Sequence, residues 1–202
     1  MSEPVRPDDA ALVLIDHQVL SMGLMRTLPL ETVIANNIAL VRAAQILGIP
    51  QVWTSSTEDD NADWWAPELA ELDPRAFQNR IKRTGIVDSW NQPEVVEAVK
   101  ATGRHTLIMA GTSNDGCLQY TALNARRAGY QVTAVIDAGA SAFPAAENAA
   151  LLRMANEGIA LTAASTLVGE LAVDWSTPTG GELRKVLAEN FQSTIGGFSL
   201  SK

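Results

Sequence analysis

Two runs of consecutive apolar residues, at 10–15 and 107–110, constrain the fold of this chain more than any other feature. A run that is apolar at every position is typical of a strand covered on both faces, as in the centre of a parallel sheet. The first run ends at Asp16, and the second ends in the polar turn that begins at Gly111. Both runs therefore predict central strands whose ends open onto a loop.

Patterns of strand and helix alternate along the whole chain, with short turns between them. We predict strands at 10–16, 49–56, 79–83, 106–110, 130–137 and 159–163. Between and after them we predict a loop at 17–23 and helices at 30–48, 91–103, 117–129, 143–157, 165–173 and 181–191. This order predicts a three-layer α/β/α protein with a six-stranded, mostly parallel sheet. With 202 residues, one domain spanning 1–202 is expected.

Composition excludes several classes of partner. The formal net charge of −8 disfavours nucleic acid and anionic membranes as partners. A single cysteine cannot form an internal disulfide, which favours a reducing compartment. The chain begins without an apolar signal core, and none of its apolar runs approaches the roughly 18 residues of a membrane span. We therefore expect a cytoplasmic protein.

The single cysteine, Cys117, follows a strand and the turn Gly-Thr-Ser-Asn-Asp-Gly at 111–116. We predict that it is the first residue of the helix at 117–129. Unpaired backbone N–H groups and the positive end of the helix dipole would favour the nucleophilic thiolate there. The alternative is a cysteine that serves as a small buried hydrophobic residue.

Asp16, the Lys82–Arg83 pair and the Cys117 turn all lie at carboxyl ends of predicted strands, where open parallel sheets bind their ligands. A carboxylate could take the thiol proton, and a cation could hold that carboxylate ionised. Because neighbouring residues of a strand face opposite ways, only one of Lys82 and Arg83 can face the thiol. Taken singly, Asp16 could instead be a turn residue and the cations surface charges.

The two histidines do not suggest a Cys–His pair. His105 precedes its predicted strand and so lies at the opposite edge of the sheet from Cys117. His17 is at the correct edge but directly follows Asp16, so its side chain is expected to point elsewhere. Asp16 is therefore the better candidate for the base.

Four blocks in order, at 12–18, 81–90, 111–118 and 135–140, resemble the isochorismatase-like cysteine hydrolases, and most of all their YcaC-type branch. The resemblance covers roughly residues 8–175 and implies the six-stranded isochorismatase-like hydrolase fold. It also implies a catalytic triad of Asp16, Arg83 and Cys117. Most of the family has lysine at the position that we align to Arg83, and Lys82 is kept as the alternative. Since arginine does not give up its proton at neutral pH, its role would be electrostatic.

The same resemblance implies a non-proline cis peptide bond between Thr112 and Ser113. The oxyanion hole would be formed by the backbone N–H groups of Ser113 and Cys117. The family commonly has threonine where this chain has Asn114, so no role of that hydroxyl is carried over.

The nicotinamidase branch binds a metal ion through an acid and two histidines near the second strand. The corresponding segment at 55–61 contains no histidine, so we expect neither a metal ion nor a cofactor. The isochorismatase branch does not use this cysteine, which also disfavours vinyl-ether cleavage. Our hypothesis is a cysteine amidohydrolase that cleaves a small amide or carbamoyl C–N bond through a thioester. The alternatives are a binding protein without turnover and a thiol that forms adducts with small molecules.

The resemblance further implies a homo-oligomer, such as an octamer, with the C-terminal helices from about residue 165 in the subunit contacts. Substrate selection is expected from the loops at 21–28 and 58–67. Trp64, Trp65 and Trp90 suggest a partly apolar pocket mouth. For Trp64 and Trp65, a subunit contact or a surface loop held by bulky side chains is the alternative.

Overall fold

The computed structural model describes residues 4–61 and 65–195. Within these residues it contains one six-stranded sheet with the strand order β3-β2-β1-β4-β5-β6, and every pairing in it is parallel. The strands are β1 (Ala10–Ile15), β2 (Gln51–Ser56), β3 (Ile81–Arg83), β4 (Thr106–Gly111), β5 (Gln131–Val135) and β6 (Ala160–Thr162). The predicted sheet is confirmed, and it is wholly rather than mostly parallel.

Helices connect the strands. They are α1 (Val19–Gly23), α2 (Leu30–Leu47), α3 (Glu58–Asn61), α4 (Pro67–Leu72), α5 (Pro74–Gln78), α6 (Pro93–Ala101), α7 (Gln119–Arg127), α8 (Pro144–Asn156), α9 (Ala164–Ala172) and α10 (Pro178–Ile195). The predicted loop at 17–23 is wrong in part, because α1 lies within it. Where the periodicity weakens, the described parts of 57–79 (57–61 and 65–79) contain the short helices α3, α4 and α5.

The two central strands are buried along their whole length, as their apolar runs predict. Leu12 and Leu14 of β1 pack on one face of the sheet with Leu40 of α2. Val13 and Ile15 point to the other face, where α7 and α8 cover them. Alternate residues of β1 therefore enter two separate cores, which is the three-layer α/β/α arrangement.

The strand order reverses direction between β1 and β4. From β1 the chain adds β2 and β3 on one side, and after β4 it adds β5 and β6 on the other side. In open parallel sheets a crevice forms outside the carboxyl ends of the strands at such a reversal. The carboxyl ends of β1 and β4 are followed by Asp16 and by the turn that carries Cys117.

The C-terminal helices α9 and α10 pack against α2 through a small apolar cluster that includes Ala43, Val168 and Leu183. Beyond this cluster, Val173, Trp175 and Phe191 remain exposed. None of the helices in the described part of the chain combines the length and the apolar character that a bilayer span requires.

Candidate active site

Asp16 ends β1 in a conformation that places a buried carboxylate at the edge of the sheet. Its backbone has a φ of 58°, in the left-handed region that few residues other than glycine adopt. Its Oδ1 accepts a hydrogen bond from Thr54 Oγ1 at 2.8 Å, and its Oδ2 is paired with Arg83. The sequence analysis missed Thr54, although three hydroxyl residues in a row, Thr54 to Ser56, at the carboxyl end of a predicted strand were a signal.

Arg83 ends β3 with its side chain completely buried. Its guanidinium donates to the carboxylate of Asp16 and to the backbone carbonyl of Ile86. Lys82 faces the opposite side of the strand, where its side chain is 43% exposed and its Nζ lies 2.7 Å from Asp59 Oδ1. The alternation of side chains along β3 therefore brings Arg83, and not Lys82, to Asp16.

The turn after β4 contains a cis peptide bond between Thr112 and Ser113, at the position that the family resemblance implies. A single wide π-helical turn, Asn114–Leu118, follows it and carries Cys117. The prediction that Cys117 is the first residue of the helix is therefore wrong, since α7 begins at Gln119. The thiol lies in the turn itself, which also brings it closer to the end of β1.

Asn114 ties this turn to the neighbouring elements. Its backbone N–H donates to Ala140 O at 3.0 Å. Its side-chain amide donates to Ile136 O at 2.8 Å and to Glu147 Oε1 of α8 at 2.7 Å. Gly139 passes so close that a Cβ there would overlap the Asn114 side chain and the Gly111 carbonyl. The asparagine thus anchors the turn at a position where the family commonly has threonine.

The thiol of Cys117 is half-buried and interacts with the side chains of Asp16 and Arg83. Burial, followed by the negative charge of Asp16, raises the pKa of Cys117 to about 12, and Arg83 opposes this only in part. The sequence-based expectation of a favoured thiolate is therefore wrong: the resting group is the neutral thiol. Its neighbour is also a better base than usual, because burial raises the pKa of Asp16 against the opposing effects of Arg83, Cys117 and Thr54.

The histidines lie where the sequence places them. His17 is fully buried, and its Nε2 is 2.9 Å from Ala138 O. Burial lowers the pKa of His17 to about 4, so its ring is neutral at physiological pH. His105 lies at the amino end of β4, with its Nδ1 3.0 Å from Asp9 Oδ1.

A cleft of about 410 Å³ opens over the thiol at the carboxyl edge of the sheet. The described residues that line it are Asp16, Leu20, Ser21, Leu24, Ser56, Thr57, Thr112 and Cys117. Its hydroxyl and leucine side chains come mainly from α1 and the end of β2, and the sequence analysis did not single out Leu20, Ser56 or Thr57.

The expected tryptophan-lined mouth is not seen among the described residues. Trp65 is buried and stacked on Trp53, with ring centroids 4.7 Å apart. Trp90 packs edge-on against Tyr130, away from the cleft. Trp64 lies outside the described residues. The assignment of Trp65 and Trp90 to the pocket is therefore wrong, since both rings fill space within the protein.

Histidine, cysteine and acidic side chains do not gather in groups of three or more suited to a metal ion anywhere in residues 4–61 and 65–195. A parallel sheet with a thiol, a carboxylate and a guanidinium at its point of reversal defines the class of α/β proteins with the isochorismatase-like hydrolase fold. The family model for the isochorismatase domain matches residues 10–166. The chain belongs to the isochorismatase family.

Among curated proteins, the chain is 32% identical over 184 residues to the "Probable hydrolase YcaC" of Escherichia coli (strain K12), covering 90% of this chain and 88% of that protein. Two solved YcaC structures share the fold. That of Pseudomonas aeruginosa YcaC "with hexane-2,5-diol and covalent acrylamide" has a TM-score of 0.90 and 30% identity, covering 96% of this chain and 95% of the other. That of E. coli YcaC, described as "an octameric hydrolase of unknown specificity", has a TM-score of 0.86 and 30% identity, covering 96% and 92%. The relatives thus identify this chain as a YcaC-like member of a hydrolase family.

Proposed function

We propose that the protein is a cysteine-dependent amidohydrolase that cleaves a small amide or carbamoyl C–N bond. The observation that carries this proposal is that the Cys117 thiol and the Asp16 carboxylate line the same cleft, with Asp16 paired to the buried Arg83. A nucleophile, a base within hydrogen-bond reach and a group that orients the base are the elements of covalent catalysis.

In the first half of the reaction, Asp16 takes the thiol proton as the sulfur attacks the substrate carbonyl. The new C–S bond makes a tetrahedral oxyanion, which the backbone N–H groups of Ser113 and Cys117 stabilise. The C–N bond then breaks, and the proton passes from Asp16 to the leaving nitrogen. The products of this half are a thioester on Cys117 and a free amine or ammonia.

In the second half, water replaces the amine. Asp16, ionised again, takes a proton from the water that attacks the thioester carbonyl. The C–S bond breaks, the acid product leaves, and Asp16 returns the proton to the sulfur of Cys117. The reaction consumes one water molecule and restores the resting thiol, so it requires no cofactor.

The raised pKa values of Cys117 and Asp16 support this shuttle. A preformed thiolate would need no base, whereas a thiol whose pKa is about 12 requires one at neutral pH. Burial raises the pKa of the Asp16 carboxyl towards that of the thiol, which makes the transfer less unfavourable. Arg83 supplies a fixed positive charge that compensates whichever of the two groups is ionised.

The protein is proposed to act as a single domain, 1–202, in a homo-oligomer in the cytoplasm, where reducing conditions would keep its single cysteine free. The octamer described for E. coli YcaC and the exposed Trp175 and Phe191 beside α9 and α10 support subunit contacts through the C-terminal helices.

The proposal is tested by assaying release of ammonia or amine from a panel of small amides, carbamoyl compounds and esters. Wild type is compared with Cys117→Ala, and both are checked for oligomer size by light scattering. Turnover by wild type that disappears in the variant supports the amidohydrolase. If the two are equally inert while the oligomer is intact, the alternative of a binding protein with a modifiable thiol replaces it.

A further inference from the structure

We propose that the cleft selects small uncharged amides with an apolar acyl group, in which the Thr112 hydroxyl binds the amide and Leu20 and Leu24 cover the acyl group. This inference rests on the proposed amidohydrolase function and names its substrate class.

Thr112 offers an unused polar group beside the cleft. Its side chain is buried, it lines the cleft, and its Oγ1 has no hydrogen-bond partner among the described residues. A buried hydroxyl without a partner costs free energy, which a bound ligand can recover. Because a hydroxyl both donates and accepts, it matches an amide, which presents a carbonyl oxygen and an N–H side by side.

Leu20 and Leu24 give the lining of the cleft an apolar part. They lie four residues apart on α1 and its C-terminal end, and therefore on the same side of that helix. Their side chains are 58% and 65% exposed, although both line the cleft. An apolar acyl group that covers them removes this surface from water, which stabilises the complex.

The charges of the site argue against an ionic substrate. Among the described residues that line the cleft, Asp16 alone carries a charge, and its partner Arg83 already neutralises it. Among the described lining residues no cation is thus left to pair with a substrate carboxylate or phosphate, and the net charge of −8 adds a general repulsion of anions. An ion of either sign would lose hydration beside two leucines without gaining a partner.

Matched alkylating reagents test this selection directly, without requiring turnover. Iodoacetamide and iodoacetate transfer groups of nearly equal size to a thiol by the same displacement, and differ in charge. 2-Iodopentanamide adds an apolar chain on the acyl side of the amide. We would follow modification of Cys117 in the intact protein by mass spectrometry and divide each rate by that of the same reagent with N-acetylcysteine.

We expect the normalised rate for iodoacetate to be at least about tenfold lower than that for iodoacetamide, since the charged reagent must give up hydration in the cleft. 2-Iodopentanamide should have the highest normalised rate of the three. Equal normalised rates, or faster reaction with iodoacetate, would overturn the proposal.

Variants assign the selection to the named side chains. Leu24→Lys should reverse the preference toward iodoacetate, and Thr112→Val should weaken the preference for the amide while Thr112→Ser keeps it. Val87→Lys is the matched control, because Val87 is exposed but does not line the cleft, and it should keep the wild-type ratio. A change of ratio in Val87→Lys equal to that in Leu24→Lys would contradict the assignment.

The alkylation and hydrolysis assays can refute the two proposals independently of each other. Selective alkylation without hydrolysis of any amide would remove the proposed enzymatic function and leave the selection standing. Efficient hydrolysis of amides that carry a carboxylate would remove the selection and leave the enzymatic function standing.

Discussion

The two edges of the sheet offer two cavities that differ in size and in chemistry. The larger, about 630 Å³, lies at the amino ends of β2 and β3, and the smaller, about 410 Å³, lies over Cys117 at the carboxyl ends. In the larger cavity the Asp73 carboxylate is already bound by Ala76 N at 2.9 Å and Gln51 Nε2 at 3.0 Å. In the smaller one the Thr112 hydroxyl has no hydrogen-bond partner among the described residues, and a thiol and a carboxylate line the same space.

The difference lies in what the polar groups are used for. At the amino edge they hold the scaffold together, and at the carboxyl edge they are held in place by the scaffold and left available to a ligand. Cavity volume alone would choose the wrong edge.

The largest effect is expected at the nucleophile. Cys117→Ala should lower kcat/KM for the best amide substrate by at least about 10³-fold, because the thioester cannot form. The measurement is amine release with wild type and variant at equal concentration. If the variant retains more than a tenth of the wild-type activity, the reaction does not use the Cys117 thiol as its nucleophile.

Asp16→Asn should separate hydrolysis from alkylation. Hydrolysis should fall by about 10²- to 10⁴-fold, since the base is lost. Alkylation of Cys117 by iodoacetamide at pH 8 should rise, because removing a neighbouring negative charge lowers the pKa of the thiol while Arg83 remains. In wild type the alkylation rate should keep climbing up to pH 10, since the pKa is about 12. Slower alkylation in the variant would contradict the assigned electrostatics.

Arg83→Met and Lys82→Met compare two adjacent cations of one strand. Arg83→Met leaves the Asp16 carboxylate buried without its partner and should lower the free energy of unfolding by about 3–5 kcal/mol. Lys82→Met removes an exposed ion pair with Asp59 and should change the free energy of unfolding by less than about 1 kcal/mol. Urea unfolding measures the free energy of unfolding of both variants. Equal losses of stability would contradict the description of Arg83 as buried and Lys82 as exposed. Adding Asp16→Asn to Arg83→Met should restore part of the loss.

His17 gives the carboxyl edge a pH-dependent stability. Its pKa is about 4 in the folded protein against 6.5 for a free side chain, so the unfolded chain binds the proton more tightly. The contribution is present above pH 6.5 and is lost as the pH falls toward 4, with a limit of about 3 kcal/mol. As the pH falls over this interval, the free energy of unfolding of wild type should therefore decrease more steeply than that of His17→Gln. Parallel curves would show that the ring titrates normally.

The smallest effect is expected at the amino edge. Asp73→Ala removes the cap of α5 and should destabilise the protein by about 1 kcal/mol without changing kcat/KM. Thermal melts and the amide assay measure the two quantities. A loss of activity larger than the loss of folded protein would make the larger cavity a functional site.

The sheet could be predicted from the sequence because its central strands are visible in the local pattern of apolar residues. The runs that became β1 and β4 are apolar at every position, and their buried ends lie within a residue of the predicted ones. The residues that meet at the carboxyl edge could be named for a related reason: Asp16 and Arg83 end predicted strands, and Cys117 follows the short turn after one. Two facts were enough to favour Arg83 over Lys82: neighbouring residues of a strand face opposite ways, and the family resemblance aligns Arg83 with the triad position.

What escaped prediction depends on contacts between distant parts of the chain. The pKa of Cys117 depends on Asp16, which is 101 positions away, and the local argument from the helix dipole gave the opposite sign. The wide turn that holds Cys117 is anchored by Asn114 on Glu147, a pairing that no periodicity reveals. Trp65 resembled a pocket residue until its stacking on Trp53 placed it inside the protein.

The central claim is that Cys117 carries the acyl group during turnover. Wild type mixed with a good amide or ester substrate, quenched in acid within one turnover and analysed by intact and peptide mass spectrometry, should show one added acyl group mapped to the peptide that contains Cys117. Asp16→Asn should accumulate less of this adduct, and Cys117→Ala none. Hydrolysis that proceeds at the wild-type rate without any acyl adduct, or with the adduct on another residue, would contradict the account.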